Sequence, residues 1–438
     1  MAVSCRPFPH HPSPHRSTIH SRGSGSAGAA TLCAAMRNGQ TRAPHADRGS
    51  FARPGCRNQG IRTMTEVSPV VSTGRGRPEP RPWVPGVQPY LPGDAVIPGV
   101  AEVVKLSSNE SLLGASPAAL EAARSITDLA NYPDPDCLAL RAAIADCYGV
   151  RADRIVCEAG SEQLINLLAR AYAGPGDEIL YPAYSFVAYR IAAQSCGATP
   201  VAAPARDFAC DVDALLAAVT ARTRVLFLAN PNNPTGTMVP IAEVERLRAD
   251  LPPDVLLVLD AAYGEYVEDP AYGTGAHLVR DDRPDTVVTH TFSKLHGLAA
   301  LRVGWALCPE PVWDVLERLR GVFVVSAPAQ AAAIAALGDR AHQEAAIAHN
   351  TRGLRWLATE LTALGIRVLP GHGNFLCLDF GDAERCAAAD LALRRAGLIP
   401  RTLREYGMPG LLRVTIGLEA HNRRVIETLA AFIEGASP

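Results

Sequence analysis

The sequence predicts an α/β protein: a three-layer sandwich with a mostly parallel central sheet as the large domain, joined to a smaller α+β domain. Three observations carry that prediction. From about Arg154, short β-rich runs alternate with longer helical stretches, the pattern of a parallel sheet covered by helices on both faces. Residues of unusual chemistry fall just after the strands, where open α/β sheets collect their ligands. After Ala341 the order changes to a long helical stretch followed by short strands and further helices, which reads as a second unit.

The elements follow in order. RIVCEA is a strand leading to a helix from Ser161, and DEILYP is a strand leading to a helix through FVAYRIAAQSCG. TRVLFLAN precedes the helix AEVERLRAD, and VLLVLD, DTVVTH and VGWALC complete the sheet. In the second unit come IRVLPGHGNFLCLDF, a helix through CAAADLALRRAG, LLRVTIG and a closing helix, with the arm around Gln88 to Ser116 expected to complete it. The expected division is an arm contributing to the small domain over 64–125, a large domain over 126–345 and a small domain over 346–438.

At 438 residues, 48% hydrophobic and 20% charged, the chain has the composition of a soluble enzyme of about two or three domains. The formal charge of −2 conceals a split, because the first 63 residues hold nine arginines and one acid, Asp47. That leader carries +8 and the remainder −10, so neither nucleic acid nor an anionic membrane is the expected partner of the acidic body. No apolar run approaches the roughly 20 residues that span a bilayer. The eleven cysteines form no CxxC pair, and Cys137, Cys147 and Cys157 sit in apolar or helical patterns. They read as reduced packing residues of a cytoplasmic compartment, and no metal site is expected.

The leader, 1–63, is rich in Arg, His, Ser, Pro and Gly without apolar periodicity, so disorder is expected. An organelle transit peptide fits the same composition, and so does an upstream extension ahead of a true start at Met64. Its Gly23-Ser24-Gly25-Ser26-Ala27-Gly28 is a literal GxGxxG that follows no strand and opens no helix, so the dinucleotide reading lacks its context. His10, His11, His15 and His20 read as a solvated tail in preference to a metal site.

The strand ends carry the chemistry. Gly160-Ser161-Glu162 opens an apolar-periodic helix, whose first amides can bind phosphate, although a serine N-cap with nothing bound fits equally well. LANPNNPTGT is a tight turn that holds Asn233 at a strand end. Asp260 ends a nearly unbroken apolar strand, where a carboxylate is costly without a partner, and Tyr263 follows it. DTVVTH then delivers Thr291, Ser293 and Lys294, with Arg302 eight residues on.

Lys294 and Lys105 are the two lysines of the chain, which otherwise uses arginine. Only a lysine amine can lose its proton near neutrality and attack a carbonyl, and Lys105 lacks the context that surrounds Lys294. Hydroxyls and arginine suit a phosphate, lysine an aldehyde, and a buried aspartate a protonated pyridine nitrogen. Pyridoxal 5'-phosphate carries all three groups.

NPNNPTGT, DAAY, YPAYSFVAY and TFSKLHGLAALRVGW together resemble the fold-type I pyridoxal-phosphate aminotransferases, which are aspartate-aminotransferase-like, and within them the histidinol-phosphate aminotransferases. LSSNESLLGASP, NYPDPDCLALRAAIA, GNFLCLDF and LLRVTIG extend the resemblance from about Gln88 to the C-terminal helix. It implies that Lys294 forms the Schiff base with the cofactor, Asp260 pairs with the pyridine nitrogen, and Asn233 and Tyr263 bond the ring hydroxyl. Tyr184 would stack on the ring. Ser161 and Glu162 backbone groups, Thr291 or Ser293, and Arg302 would hold the phosphate, with Tyr132 reaching it from the other subunit of a homodimer. Arg413 would clamp a substrate carboxylate, Tyr90 and Arg401 would meet a substrate phosphate, with Arg404 competing for that task, and Asn109 would face the substrate. The usual N-E-[NT]-P reads Asn109-Glu110-Ser111-Leu112 here, and the usual D-E-A-Y reads Asp260-Ala261-Ala262-Tyr263.

The implied reaction is a transamination between a small-molecule amino donor and a keto acceptor: histidinol phosphate and 2-oxoglutarate giving imidazole-acetol phosphate and glutamate. An aromatic amino-acid aminotransferase would use the same catalytic set. A threonine-phosphate decarboxylase shares the scaffold but breaks a different bond. A cofactor-binding regulator would need a DNA-binding module, for which the leader lacks the periodicity.

Overall fold

The computed structural model describes residues 78–90, 93–100 and 102–435. The leader, its GxGxxG and histidines, and Met64 lie outside the described residues. The described residues all fall in one compact unit.

The six runs read as strands form a seven-stranded sheet with one addition. Its order is Ile155–Glu158, Gly304–Leu307, Thr286–Thr291, Leu256–Asp260, Thr223–Ala229, Glu178–Pro182 and Thr199–Ala203. The addition is Thr199–Ala203, which contains Pro200 and lies at the sheet edge, where a missing backbone donor is tolerated. Gly304–Leu307 runs antiparallel to both neighbours, and the other pairings are parallel.

Alternation along the strands feeds two cores. Leu257 and Val288 face one side with Leu140, Ile144 and Trp305, while Val258 and Val287 face the other with Leu164, Tyr189 and Phe227. Each large side chain so buried contributes about 1.5–3 kcal/mol to folding. This rigid layer fixes the strand ends from which the site is built.

Gly304 pairs with Glu158 on one side and Thr291 on the other, so it draws the start of the helix Ser161–Tyr172 against the segment after Thr291. A Cβ on Gly304 would run into the backbone of Gly160 and Ser161, which is why this strand begins with glycine.

The second sheet is antiparallel, in the order Arg367–Val368, Phe375–Asp379, Leu411–Thr415 and Arg401–Thr402. Helices Arg340–Ala363, Ala383–Arg395 and Glu419–Ile433 accompany it, with Leu357, Leu376, Val414, Val425 and Leu429 in a common core. Val104–Lys105 of the arm pairs with Leu398–Ile399. Among the described residues, no helix is long and apolar enough to cross a membrane.

Candidate active site

A cavity of about 320 Å³ opens at the carboxyl ends of the central strands, within the size range of small-molecule sites. Twelve of the residues singled out above line it: Lys294, Asp260, Tyr263, Asn233, Ser161, Glu162, Thr291, Ser293, Arg302, Arg413, Tyr90 and Asn109. They come from stretches of sequence more than 300 residues apart, assembled by the two sheets and the arm.

Lys294 Nζ donates to the Ser108 carbonyl at 3.0 Å and lies 5.6 Å from the centre of the Tyr263 ring. Burial, with Arg413 nearby, brings the amine down to about 7, so it is largely neutral just above neutrality. Asp260 is buried and accepts from the Tyr189 hydroxyl at 2.8 Å and from the Ala262 amide at 3.2 Å. Burial raises its carboxyl above the usual range, a sign that a cationic partner would relieve the site.

An anion cradle lies at the other side. Gly160, in the left-handed region at φ +93°, is the N-cap of Ser161–Tyr172 and provides no side-chain cap, so the serine N-cap reading fails. Gln163 N–H bonds the Gly160 carbonyl at 3.2 Å, which leaves the amides of Ser161 and Glu162 at the cavity. Arg302 Nη1 reaches Ser293 Oγ at 3.4 Å and the Ala299 carbonyl at 3.0 Å, and Thr291 Oγ1 accepts from Ser293 N–H at 3.1 Å. A Cβ on Gly160 would come within 2.5 Å of Arg302 Nη2, so the cradle exists because that residue is glycine. Free amides, hydroxyls and a guanidinium on one concavity fit a phosphate. With an amine and a buried carboxylate beside it, the donor set fits pyridoxal phosphate.

Arg413 bridges the two sheets. Its Nη1 donates to Asn233 Oδ1 and its Nη2 to the Ser107 carbonyl, while Nε has no protein partner. Asn233 thereby keeps its amide nitrogen for a ligand. Asn109, in the left-handed region, donates from Nδ2 to Tyr263 Oη at 2.9 Å and accepts at Oδ1 from Thr415 at 3.2 Å. Its amide thus fixes Tyr263 while the residue itself lines the cavity. Burial pushes the Tyr263 phenol up to about 12, so it remains a donor.

Other placements differ from expectation. Tyr184 does not line this cavity: its carbonyl accepts from Asn232 at 2.9 Å, and its ring packs on Phe208 beside a neighbouring hollow. Phe186, two residues on, lines both. Tyr132 is 80% exposed, stacked on Phe323 at 4.4 Å, and away from the cavity of its own chain. Arg401 is buried behind Tyr90, its guanidinium 5.9 Å from that ring and bonded to Glu405 at 2.9 Å. Arg404 is exposed and does not line the cavity.

Sequence reasoning missed Tyr189, Phe186, Tyr406 and the Lys105–Glu110 pair, all at or against the cavity. Lys105 carried a signal in its rarity; the others are ordinary residues of their helices and loops until the fold places them.

A lysine, a buried aspartate and an anion cradle at the strand ends of this fold define an enzyme that works through an aldehyde cofactor. The chain belongs to the family aminotransferase class I and II, which it matches over residues 101–429. It is 50% identical over 359 residues to a histidinol-phosphate aminotransferase of Paramagnetospirillum magneticum, covering 81% of this chain and 99% of that one. A Rhodospirillum rubrum protein of the same name is 48% identical over 362 residues, covering 82% and 98%. Among solved structures, the histidinol-phosphate aminotransferase of Sinorhizobium meliloti in complex with pyridoxal-5'-phosphate superposes with a TM-score of 0.72 at 26% identity, covering 77% of this chain and 92% of that one. A Thermus thermophilus aspartate aminotransferase double mutant shares the fold, with a TM-score of 0.67 at 24% identity over 75% and 91% of the chains.

Proposed function

We propose that this chain is a pyridoxal-phosphate-dependent aminotransferase that interconverts histidinol phosphate and 2-oxoglutarate with imidazole-acetol phosphate and glutamate. The observation that carries the substrate is near-half identity over almost the full length of several histidinol-phosphate aminotransferases. When bound, the cofactor supplies an aldehyde that captures amines and an electron-withdrawing ring.

The chain's residues do the rest. Lys294, its amine brought down to about 7, would take the proton from the substrate Cα and deliver it to the carbon of the cofactor's aldehyde group. Asp260, held by Tyr189, offers its carboxylate to a ring nitrogen, and Asn233 and Tyr263 offer donors to the ring hydroxyl. Arg302, Ser293, Thr291 and the amides of Ser161 and Glu162 hold the phosphate, with Phe186 as the aromatic wall. Arg413 takes the α-carboxylate of the amino acid in a planar, bidentate contact. Tyr90, backed by Arg401, meets the phosphate of histidinol phosphate.

The working unit is a homodimer in which Tyr132 serves the partner's site. Exposed Leu129, Tyr132, Leu138 and Val322 support a partner surface. The proposed division is 64–125, 126–345 and 346–438, supported by the two sheets. A cytoplasmic location accords with free thiols at the described cysteines.

The test is a substrate panel on purified protein with 2-oxoglutarate as acceptor. Histidinol phosphate is expected to exceed phenylalanine in kcat/KM by about a hundredfold or more, as a site built for a polar group rejects substrates lacking it. Comparable values would favour the aromatic aminotransferase, and carbon dioxide release without an acceptor would favour the decarboxylase.

A further inference from the structure

Both lysines of the chain line the same cavity. Lys294 has a role in the reaction; Lys105 does not. Its Nζ donates to Glu110 Oε1 at 2.9 Å, and the two side chains keep 32% and 41% of their surface open. So open an ion pair contributes little to folding, because water screens it. Stability alone does not account for a charged pair at this position.

The neighbouring backbone fixes where the pair stands. Between residues 105 and 110, the Ser107 carbonyl accepts from Arg413, the Ser108 carbonyl accepts from Lys294, and Asn109 holds Tyr263. Glutamate, with its amine at Lys294 and its α-carboxylate at Arg413, therefore lies along this run, and so does histidinol phosphate with its amine at Lys294; the pair flanks both. Tyr90 and Tyr406 bring two phenols to the same cavity.

The proposed reaction poses a recognition problem. One cavity must accept, in alternate halves, a side chain ending in an imidazole and one ending in a carboxylate. A fixed cation would favour the second and oppose the first when protonated, and a fixed anion would do the reverse. A separable lysine–glutamate pair suits both.

Resting on that functional reading, we propose that Lys105 and Glu110 form the side-chain specificity pair of this enzyme. Lys105 turns to the side-chain carboxylate of glutamate or 2-oxoglutarate, and Glu110 accepts the imidazole N–H of histidinol phosphate. Lysine suits the task because its single ammonium on a flexible stem can change partner, whereas a planar guanidinium bonded in two places holds one geometry.

The two half-reactions of the holoenzyme, each followed separately by the change in cofactor absorbance, test this. Lys105→Gln should raise the half-saturating concentration of glutamate about tenfold while that of histidinol phosphate stays level or falls, because Glu110 is left unopposed. Glu110→Gln should shift the two substrates in the opposite sense. Equal weakening of both substrates would mark a merely structural pair and overturn the proposal. So would a glutamate-selective loss that appears in Arg401→Gln and not in Lys105→Gln. Failure of the wild type to use histidinol phosphate would instead overturn the functional reading on which the pair rests. Wild-type turnover of that substrate without opposed shifts in the variants would refute the pair alone.

Discussion

Lys294 places an amine where burial opposes its charge, and the same burial that makes it reactive has a measurable cost in the cofactor-free protein. In the unfolded chain it keeps its proton up to its ordinary value of 10.5, whereas in the fold it loses it near 7. Between those limits the unfolded state binds the extra proton, so this residue makes stability rise with pH, by at most about 1.4 kcal/mol per unit. Below 7 both states are protonated and the penalty is constant. Lys294→Met should therefore stabilise the cofactor-free protein at pH 7, with an advantage that shrinks by pH 9. Denaturant midpoints at the two pH values would show it, and parallel profiles would disprove it. Asp260 was legible in the sequence because it ends an apolar strand with a group that such a position disfavours, and Lys294 because it is one of two lysines in the chain and follows a strand end by three residues. Tyr189 was not, because its importance lies in a 2.8 Å bond to Asp260 across a helix–strand contact that no local pattern encodes. Which of two aromatics two residues apart lines a cavity is likewise not written in a local pattern: Tyr184 has a left-handed backbone and lines the neighbouring hollow with Phe186.

The strands were the most legible elements, since all six expected runs appear and each is buried along almost its whole length. Direction was less so: Gly304–Leu307 runs antiparallel after a loop that ends with Arg302 in the left-handed region at φ +54°. That reversal presses the strand against Gly160 and completes the anion cradle. Gly160→Ala should consequently weaken pyridoxal phosphate binding by about tenfold or more, since it displaces Arg302 and strains a backbone at positive φ. Equilibrium titration of the cofactor by fluorescence is the measurement, with far-ultraviolet circular dichroism reporting an unchanged fold. Wild-type affinity in the variant would mean that the helix amides and hydroxyls suffice without Arg302.

On the scale of the whole molecule, the site within one chain leaves Tyr132 unused: it is stacked on Phe323 beside exposed Val322 and away from the cavity. Leu129 and Leu138 flank it in sequence with most of their surface open, an arrangement suited to a second copy across a twofold axis. If Tyr132 completes the partner's phosphate site, two separately crippled variants can repair each other. A Lys294→Ala chain still offers Tyr132, and a Tyr132→Ala chain still offers Lys294, so a mixed dimer contains one complete site. Random subunit exchange makes half the dimers mixed, and activity should recover to about a quarter of wild type from near-zero parents. If Tyr132 served its own chain, neither site of a mixed dimer would be whole and mixing would restore nothing. Activity measured before and after co-refolding of equimolar variants, with sedimentation to verify the dimer, separates the two outcomes.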